Sequence, residues 1–255
     1  MPFKLMSFNI RFDNPNDGDH IWSNRLPIIS ELINSREICL LGTQEGREPQ
    51  LRELEAQLDN LEIVDNHREW IADRMYPCIF YRTDTFSLID SSDIWLSDTP
   101  NIAGSKSFGS MFPRLCTWAK LINKKSNEKI LFVNVHLDHT ETTVRQSQIK
   151  VMIEEIKKIK EDFKLVINGD FNESPKEDVY KIITKDLSLL DPWKTKNLNE
   201  ETSYHKFKGV YPEGSRIDWI LTDKSINCLE IEIIKHSQKN IYPSDHFPVF
   251  SILDF

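Results

Sequence analysis

Short apolar runs, each bounded by polar residues, glycine or proline, recur along this 255-residue chain. In "KLMSFNIR" near the N-terminus apolar and polar positions alternate, while "EICLLG", "KLVIN" and similar runs are almost wholly apolar. Alternation of this kind is typical of strands with one buried face, and the oily runs are typical of buried strands. The pattern predicts strands at 3–10, 38–42, 78–81, 114–123, 129–136, 164–167, 216–221 and 247–253.

Helical periodicity lies between some of these runs. The segment 142–163 spaces its apolar residues three and four apart, which predicts an amphipathic helix with the stripe Ile149, Met152, Ile153, Ile156, Ile159 and Phe163. Shorter helical patterns cover 23–35 and 48–59, and "NKKSNEK" at 123–129 is typical of a hairpin turn. With no linker, repeat or low-complexity segment, we expect one mixed α/β domain over residues 1–255.

Composition and charge narrow the possible partners. The chain is 39% hydrophobic and 28% charged, enough to bury a sizeable core. Its net charge is -8, and no basic cluster stands out in the sequence. Tight, sequence-blind binding of long duplex DNA is therefore not expected, although a bound divalent cation can still attract a short nucleic acid.

The cysteines and the N-terminal segment bear on the compartment. Four widely spaced cysteines, without a Cys-x-x-Cys pair, indicate reduced thiols rather than a disulfide or a zinc site. The N-terminal segment has no cleavable apolar stretch, and no apolar run is long enough to span a membrane. We expect a cytoplasmic monomer without an obvious protein partner.

Polar side chains follow several predicted strands at the point where each apolar run stops. "KLVINGDFNESP" passes from an oily strand into Asp170 and Asn172, which alternation places on one face. An Asx-rich turn is the ordinary alternative for such a segment. The same switch from apolar to polar residues recurs in "SFNIR", "QE", "NVHLDH", "RIDWI" and "SDHFPV". Together these residues offer oxygen ligands for Mg²⁺ or Mn²⁺ and imidazoles near a phosphate, which suits metal-assisted phosphoester cleavage.

These six motifs, in this order, resemble those of the endonuclease/exonuclease/phosphatase superfamily over residues 7–249. The resemblance implies the DNase I-like fold, a four-layer α/β sandwich of two packed mixed sheets flanked by helices. "WLSDTP" and "RLCTWA" resemble the bacterial branch related to deadenylases of the carbon-catabolite-repressor and nocturnin type.

The resemblance also implies roles for individual residues. Metal ligands are expected at Asn9, Glu45 and Asp245, and catalytic groups at His136, Asp170, Asn172, Asp218 and His246. Asp218 is expected to hold His246, and the general base is left open between Asp170 and His246. Further substrate contacts are expected from Arg114, Arg145 and His205, with salt bridges or a structural histidine as the alternatives.

The expected function is Mg²⁺- or Mn²⁺-dependent phosphoester hydrolysis by in-line attack of water. The first expectation for the substrate is RNA, single-stranded ends or a nucleotide-like phosphodiester. The alternatives are a phosphatase acting on a small metabolite, inositol phosphate or lipid head group, and a catalytically inactive binding module on the same fold. The complete set of motif residues argues against the inactive module, because binding alone does not require all of them.

Overall fold

Two β-sheets and the helices that cover them make up the computed structural model, which describes residues 2–210 and 212–255. The strands are β1 (Phe3–Asn9), β2 (Leu40–Gly46), β3 (Leu61–Ile63), β4 (Tyr76–Arg82), β5 (Phe86–Trp95), β6 (Leu115–Asn123), β7 (Lys129–His136), β8 (Lys164–Asp170), β9 (Asp218–Thr222), β10 (Asn227–Ile233) and β11 (Val249–Asp254). The helices are α1 (Trp22–Ser35), α2 (Glu48–Glu55), α3 (Thr142–Ile159), α4 (Asp178–Asp186) and α5 (Pro192–Thr195), with a 3₁₀ helix at Pro15–His20.

Each sheet mixes parallel and antiparallel pairs. The first sheet has the order β10-β11-β1-β2-β4-β3, and β1 and β2 run parallel at its centre. The second sheet has the order β5-β6-β7-β8-β9, and β7 and β8 are its parallel pair. The predicted hairpin turn at 123–129 joins the antiparallel strands β6 and β7.

Three hydrophobic clusters stack these elements into four layers. Helices α1 and α2 cover the outer face of the first sheet, where Leu32 and Leu54 pack against Phe8. Helices α3 and α4 cover the outer face of the second sheet, where Ile149 packs with Leu131. A third cluster fills the space between the two sheets. The expected four-layer sandwich of mixed sheets is confirmed.

The inner faces of the sheets change character along the strands. Alternation places every second residue between the sheets, and these residues pass from apolar to polar to candidate catalytic. In order they are Phe3, Leu5, Ser7 and Asn9 in β1, Ile130, Phe132, Asn134 and His136 in β7, and Val166, Asn168 and Asp170 in β8. We call Ser7, Gln44, Asn134 and Asn168, all fully buried, the polar layer. The polar layer therefore separates the apolar core from the candidate catalytic residues.

The predicted strands and helices are all present, with boundaries shifted by a few residues. Strands β3, β5 and β10 and helices α4 and α5 were not predicted. Strand β5 is an edge strand whose sequence, "FSLIDSSDIW", is polar in its middle, so it lacks the apolar run on which the prediction depended. Within the described part of the chain, no helix is both long and apolar enough to cross a membrane.

Candidate active site

A cavity of about 530 Å³ opens where strand ends from both sheets meet. The strands bring polar side chains to its floor, and loops supply its walls. Its lining residues are Arg11, Phe12, Glu45, Arg47, Asp73, Arg74, Met75, Phe112, Pro113, Arg114, His136, His139, Asp170, Asn172, Tyr204, Ile217, Asp245 and His246.

Strand register aligns three candidate catalytic residues in one row. His136 ends β7 and pairs with Asp170, which ends the parallel strand β8. Asp170 pairs in turn with Asp218, the first residue of the antiparallel strand β9. Gly169 permits this close approach, because its φ is +150° and a Cβ atom there would lie 2.0 Å from the carbonyl oxygen of Val135.

Among the described residues, four polar residues that line the cavity have positive backbone φ angles: Arg11 at 55°, Glu45 at 66°, Asp73 at 59° and Asn172 at 52°. Side chains other than glycine rarely adopt this conformation, and it is concentrated at functional sites. For Glu45 the consequence is specific. Regular alternation would direct it to the helix-covered face of β2, but the pairing of β2 with β4 shifts register between Thr43 and Gly46. This bulge turns the Glu45 carboxylate into the cavity.

His246 lies between two carboxylates. Its Nδ1 is 2.9 Å from Oδ2 of Asp218, and its Nε2 is 3.8 Å from Oδ2 of Asp170. Burial lowers the pKa of His246, but Asp218 and Asp170 outweigh that effect and raise the pKa to about 10. Burial and the neighbouring Asp218 raise the pKa of Asp170 to about 7. The two carboxylates therefore favour the protonated form of His246, and burial next to Asp218 favours the protonated form of Asp170.

Asn9 connects the carboxylates of the two sheets. Its Nδ2 donates to Oε1 of Glu45 at 3.2 Å and to Oδ2 of Asp170 at 2.9 Å, while its Oδ1 accepts from the backbone N–H of Arg11. The opposite amide orientation would place an oxygen against two carboxylates, so this assignment is electrostatically fixed. Asn9 thus contacts Glu45 and Asp170 through its nitrogen, and its role as a metal ligand stays a prediction.

Glu45 and Asp245 offer oxygen atoms on one side of the cavity. Nη1 of Arg11 lies 3.9 Å from Oε2 of Glu45 and 4.0 Å from Oδ2 of Asp245, so one positive group is near both carboxylates. Burial raises the pKa of Asp245, and the negative charge of Glu45 adds to the rise. A cation would relieve this repulsion, and two hard carboxylate donors fit Mg²⁺ or Mn²⁺.

The side chains of Asp170, Asp218 and His246 form a second group that could hold a metal ion, since one ligand atom from each lies within 4.8 Å of the others. The hydrogen bond between Asp218 and His246 already engages two of the three side chains. A metal bound there would compete with it. A divalent ion held by Glu45 and Asp245 would leave the hydrogen bond between Asp218 and His246 intact.

Arg114 and two histidines form the opposite wall. Nη1 of Arg114 lies 3.0 Å from Nδ1 of His136, and Nη2 lies 3.3 Å from Nδ1 of His139. His136 also approaches Asp170, with 3.5 Å between Nε2 and Oδ2. Burial and the Arg114 cation lower the pKa of His136 well below its ordinary value. Within the described residues, Arg114 contacts these two imidazoles and forms no ion pair with a carboxylate.

Arg145 and His205, expected at the substrate, do not line the cavity. Arg145 is buried and donates from Nε to Oε2 of Glu173 at 2.7 Å, so the ion-pair alternative describes its contacts. His205 is buried, and its ring stacks on Phe247 with 3.8 Å between centroids. Its backbone N–H donates to the carbonyl of Asp245, which makes His205 a support for the loop carrying Asp245.

The structure brings the other predicted residues together. Glu45, Arg114, His136, Asp170, Asn172, Asp245 and His246 line the cavity, and Asn9 and Asp218 lie directly behind it. The sequence prediction did not include the lining residues Phe12, Arg47, Asp73, Arg74, Met75, Phe112, Tyr204 and Ile217. Most of these lie in loops outside the motifs. Arg47 follows the "QE" motif by two residues, but nothing in its spacing distinguishes it from a surface arginine.

Several known proteins are similar to this chain over most of its length. An endonuclease/exonuclease/phosphatase from Bacteroides vulgatus superposes with a TM-score of 0.92 at 28% identity, covering 100% of this chain and 99% of that one. A mannosyl-6-phosphatase from Bacteroides thetaiotaomicron superposes with a TM-score of 0.90 at 26% identity, covering 99% and 100%. The human nocturnin catalytic domain shares the fold, with a TM-score of 0.75 at 21% identity, covering 100% and 93%.

Sequence comparison alone is less informative. The uncharacterised protein L388 of Acanthamoeba polyphaga mimivirus is 29% identical over an alignment of 210 residues, and the match covers 77% of this chain and 72% of the viral protein. No protein-family model matches the sequence. The full-length structural matches nevertheless show that the chain has the DNase I-like fold of the endonuclease/exonuclease/phosphatase superfamily, as the motifs implied.

Proposed function

We propose that this chain hydrolyses phosphoesters with the aid of a divalent cation, Mg²⁺ or Mn²⁺. The observation that carries the proposal is the contact of His246 with Asp170 and with Asp218, which lies behind it, in a cavity that Glu45 and Asp245 also line. A paired imidazole, a carboxyl of raised pKa and a separate oxygen-ligand pair are what hydrolysis of a phosphoester requires.

Glu45 and Asp245 would hold the cation, and Asn9 would fix the Glu45 carboxylate through its amide nitrogen. When bound, a divalent ion supplies positive charge that polarises a phosphoryl oxygen and offsets the charge that develops in the transition state. Side chains of this protein would carry out the remaining steps.

Asp170 is the proposed proton acceptor for the attacking water. Both of its oxygens are oriented by hydrogen bonds, from the backbone N–H of Asn172 and from Nδ2 of Asn9. Asp218 fixes Nδ1 of His246, so that Nε2 is free to donate to a phosphoryl oxygen. Arg114 lies beside His136 and would bind the phosphate on the opposite side. This division of roles favours Asp170 over His246 as the general base.

A small phosphorylated molecule, for example a sugar phosphate, is the substrate class that the cavity supports best. Its volume of about 530 Å³ lies in the range of sites for single small molecules. The full-length similarity to a mannosyl-6-phosphatase points to the same class. The net charge of -8 gives no support for a wide nucleic-acid footprint.

A phosphodiester of RNA or of a nucleotide-like molecule is the second candidate. Phe112 is 42% exposed at the cavity wall, and Tyr204 also lines the cavity. Exposed aromatic rings at the mouth of a site can stack on a nucleobase. Arg145 and His205 remain candidates for substrate contact only if the substrate extends beyond the cavity described above.

A panel of phosphoesters tests the proposal. Sugar phosphates, inositol phosphates, nucleotides, short RNA and 4-nitrophenyl esters would be incubated with the protein and Mg²⁺ or Mn²⁺, with and without excess EDTA. We expect release of phosphate from small monoesters, abolished by EDTA and restored by added metal. Unchanged activity in EDTA would contradict the metal-assisted mechanism, and no hydrolysis under any condition would favour an inactive binding module.

A further inference from the structure

Four arginines line the cavity: Arg11, whose guanidinium is paired with Asp17, and Arg47, Arg74 and Arg114, which are not paired with a carboxylate within the described residues. Arg114 donates to the imidazoles of His136 and His139. Within residues 2–210 and 212–255, the side chains of Arg47 and Arg74 donate to no carboxylate, carbonyl or imidazole, and the Nε of each is buried without a hydrogen-bond partner. The face of Arg47 instead lies over the ring of Phe12, with 5.0 Å to the centroid.

The other arginines of the described chain all have acceptors. Carboxylates accept from Arg11, Arg36, Arg52, Arg68, Arg145 and Arg216, and backbone carbonyls accept from Arg25 and Arg82. Arg47 and Arg74 therefore depart from the rule that the rest of the molecule follows. Both residues are half-buried, and the buried Nε of each is a donor without an acceptor, which costs free energy.

The like charges are also close enough to affect one another. Burial lowers the pKa of Arg114, and the positive charge of Arg74 lowers it further, although nearby acidic groups oppose the change. No carboxylate side chain bonds to any of these three guanidinium groups within the described residues. A bound anion would supply the missing acceptors and relieve the repulsion at the same time.

Arg47 and Arg74 share no hydrogen bond with the residues at the reaction end of the cavity. His136, to which Arg114 donates, is 3.5 Å from Asp170, so Arg114 belongs to the proposed phosphate site. Neither Arg47 nor Arg74 is hydrogen-bonded to those residues. Arg47 also lines an adjoining cavity of about 370 Å³, but Asp13, Glu48 and Asp73 make that cavity acidic. An anion bound by Arg47 would therefore lie on the other side, in the main cavity of about 530 Å³. A ligand that fills this space has room for a second group beyond the reacting phosphoester.

We propose that Arg47 and Arg74 bind a second anionic group of the substrate, a phosphate or a carboxylate. The inference rests on the proposed function for the position of the reacting phosphoester, which lies against Arg114 and His136. The preferred substrate is then a small molecule with two negatively charged groups, and the second group determines its orientation. A guanidinium with free N–H groups is suited to either anion, because phosphate and carboxylate oxygens both accept its hydrogen bonds.

Binding measured without turnover tests this second site. Isothermal titration calorimetry in EDTA would compare methylphosphonate with a series of α,ω-bisphosphonates of increasing chain length and with matched phosphonocarboxylates. These probes are not hydrolysed, so the result does not depend on catalysis. We expect at least one two-headed probe to bind the wild-type protein about tenfold more tightly than methylphosphonate, a gain of about 1.4 kcal/mol. Comparison of the two series identifies the anion as phosphate-like or carboxylate.

Variants separate the second anion site from general charge effects. Arg74→Gln and Arg47→Gln should each remove most of the preference for the two-headed probe, while Arg36→Gln, which alters an arginine paired with Glu232 outside the cavity, should preserve it. Thermal unfolding should show that Arg74→Gln is folded, because its side chain makes no internal hydrogen bond to lose.

The proposal would be overturned if no two-headed probe bound more tightly than methylphosphonate, or if Arg74→Gln weakened both kinds of probe equally. A preference for two anions in a protein that hydrolyses no phosphoester would contradict the proposed function and leave the second anion site standing. Hydrolysis of simple phosphoesters without such a preference would support the proposed function and contradict the second anion site.

Discussion

Asn134 joins the two sheets one step below the candidate catalytic residues, and replacing it with alanine should weaken both stability and activity. It belongs to β7 of the second sheet, but its side chain forms hydrogen bonds with the first sheet. Its Nδ2 donates to the carbonyls of Thr43 at 2.8 Å and Cys78 at 2.7 Å, and its Oδ1 accepts from Nε2 of Gln44 at 2.7 Å. The side chain is fully buried.

The size of the effect follows from these contacts. Each buried hydrogen bond contributes about 1 kcal/mol net, so loss of three should lower the free energy of unfolding by about 3 kcal/mol. Activity should fall as well, because His136 follows Asn134 by two residues and Gln44 precedes Glu45. A change of 1 Å in the spacing of reacting groups can lower a rate by about a hundredfold. We expect kcat to decrease more than KM increases.

Asn168 offers a matched control, since it pairs directly with Asn134 in the register of β7 and β8 and is also fully buried. Within the described residues, the side-chain amide of Asn168 makes no hydrogen bond. Asn168→Ala should therefore cost only about 1 kcal/mol, mainly from lost packing. Urea unfolding and steady-state kinetics on the best substrate of the panel would compare the two variants. Equal losses of stability, or an unchanged kcat in folded Asn134→Ala, would refute this account of Asn134.

Further predictions concern the metal, the paired groups, salt and acid. Glu45→Gln should weaken Mg²⁺ affinity, measured by calorimetry, about tenfold or more, and activity should recover at a raised metal concentration. Asp218→Asn should lower kcat about a hundredfold, and adding His246→Ala should cause little further loss, whereas multiplied losses would disprove the pairing. KM for the preferred substrate should change less than about threefold between low and physiological salt, and a steep slope would indicate a basic surface. Burial raises the pKa of Asp93, but the stronger effect of Arg68 lowers it to about 2. The Asp93 carboxylate therefore stabilises the folded state above about pH 4, and this stabilisation is lost as the pH falls towards 2. Asp93→Asn should abolish that part of the acid dependence in urea unfolding.

Sequence patterns located much of the site because strand geometry is regular. Alternation and register determine where Asn9, His136 and Asp170 lie once the strands are assigned. The direction of Glu45 is different, because it depends on a bulge and a positive φ that no apolar pattern encodes. Asn9 was placed correctly, but the atom it presents to its neighbours depends on the carboxylates around it.

Residues outside the strands were harder to predict. Arg145 begins an amphipathic helix, and its sequence position did not distinguish a phosphate contact from the buried pair with Glu173. Arg47 directly precedes a predicted helix and Arg74 lies in the loop before β4, but no apolar pattern indicates that either side chain reaches the cavity. The roles of such residues depend on long-range packing, which a single sequence does not display.

The inner strand faces, where apolar, polar and reactive residues follow one another, limit how this protein can change in length. Insertion of one residue into β8 before Asn168 would move Asp170 to the helix-covered face and bury a carboxylate among apolar side chains, Phe171 and Trp219 among them. Substitutions within the strands are constrained only locally, but insertions and deletions there would remove the chemistry altogether. The loops that carry Arg74 and Phe112 have no such register to preserve. Changes of substrate can therefore accumulate through loop length and loop sequence, while the hydrolytic machinery is retained by the fixed length of the strands.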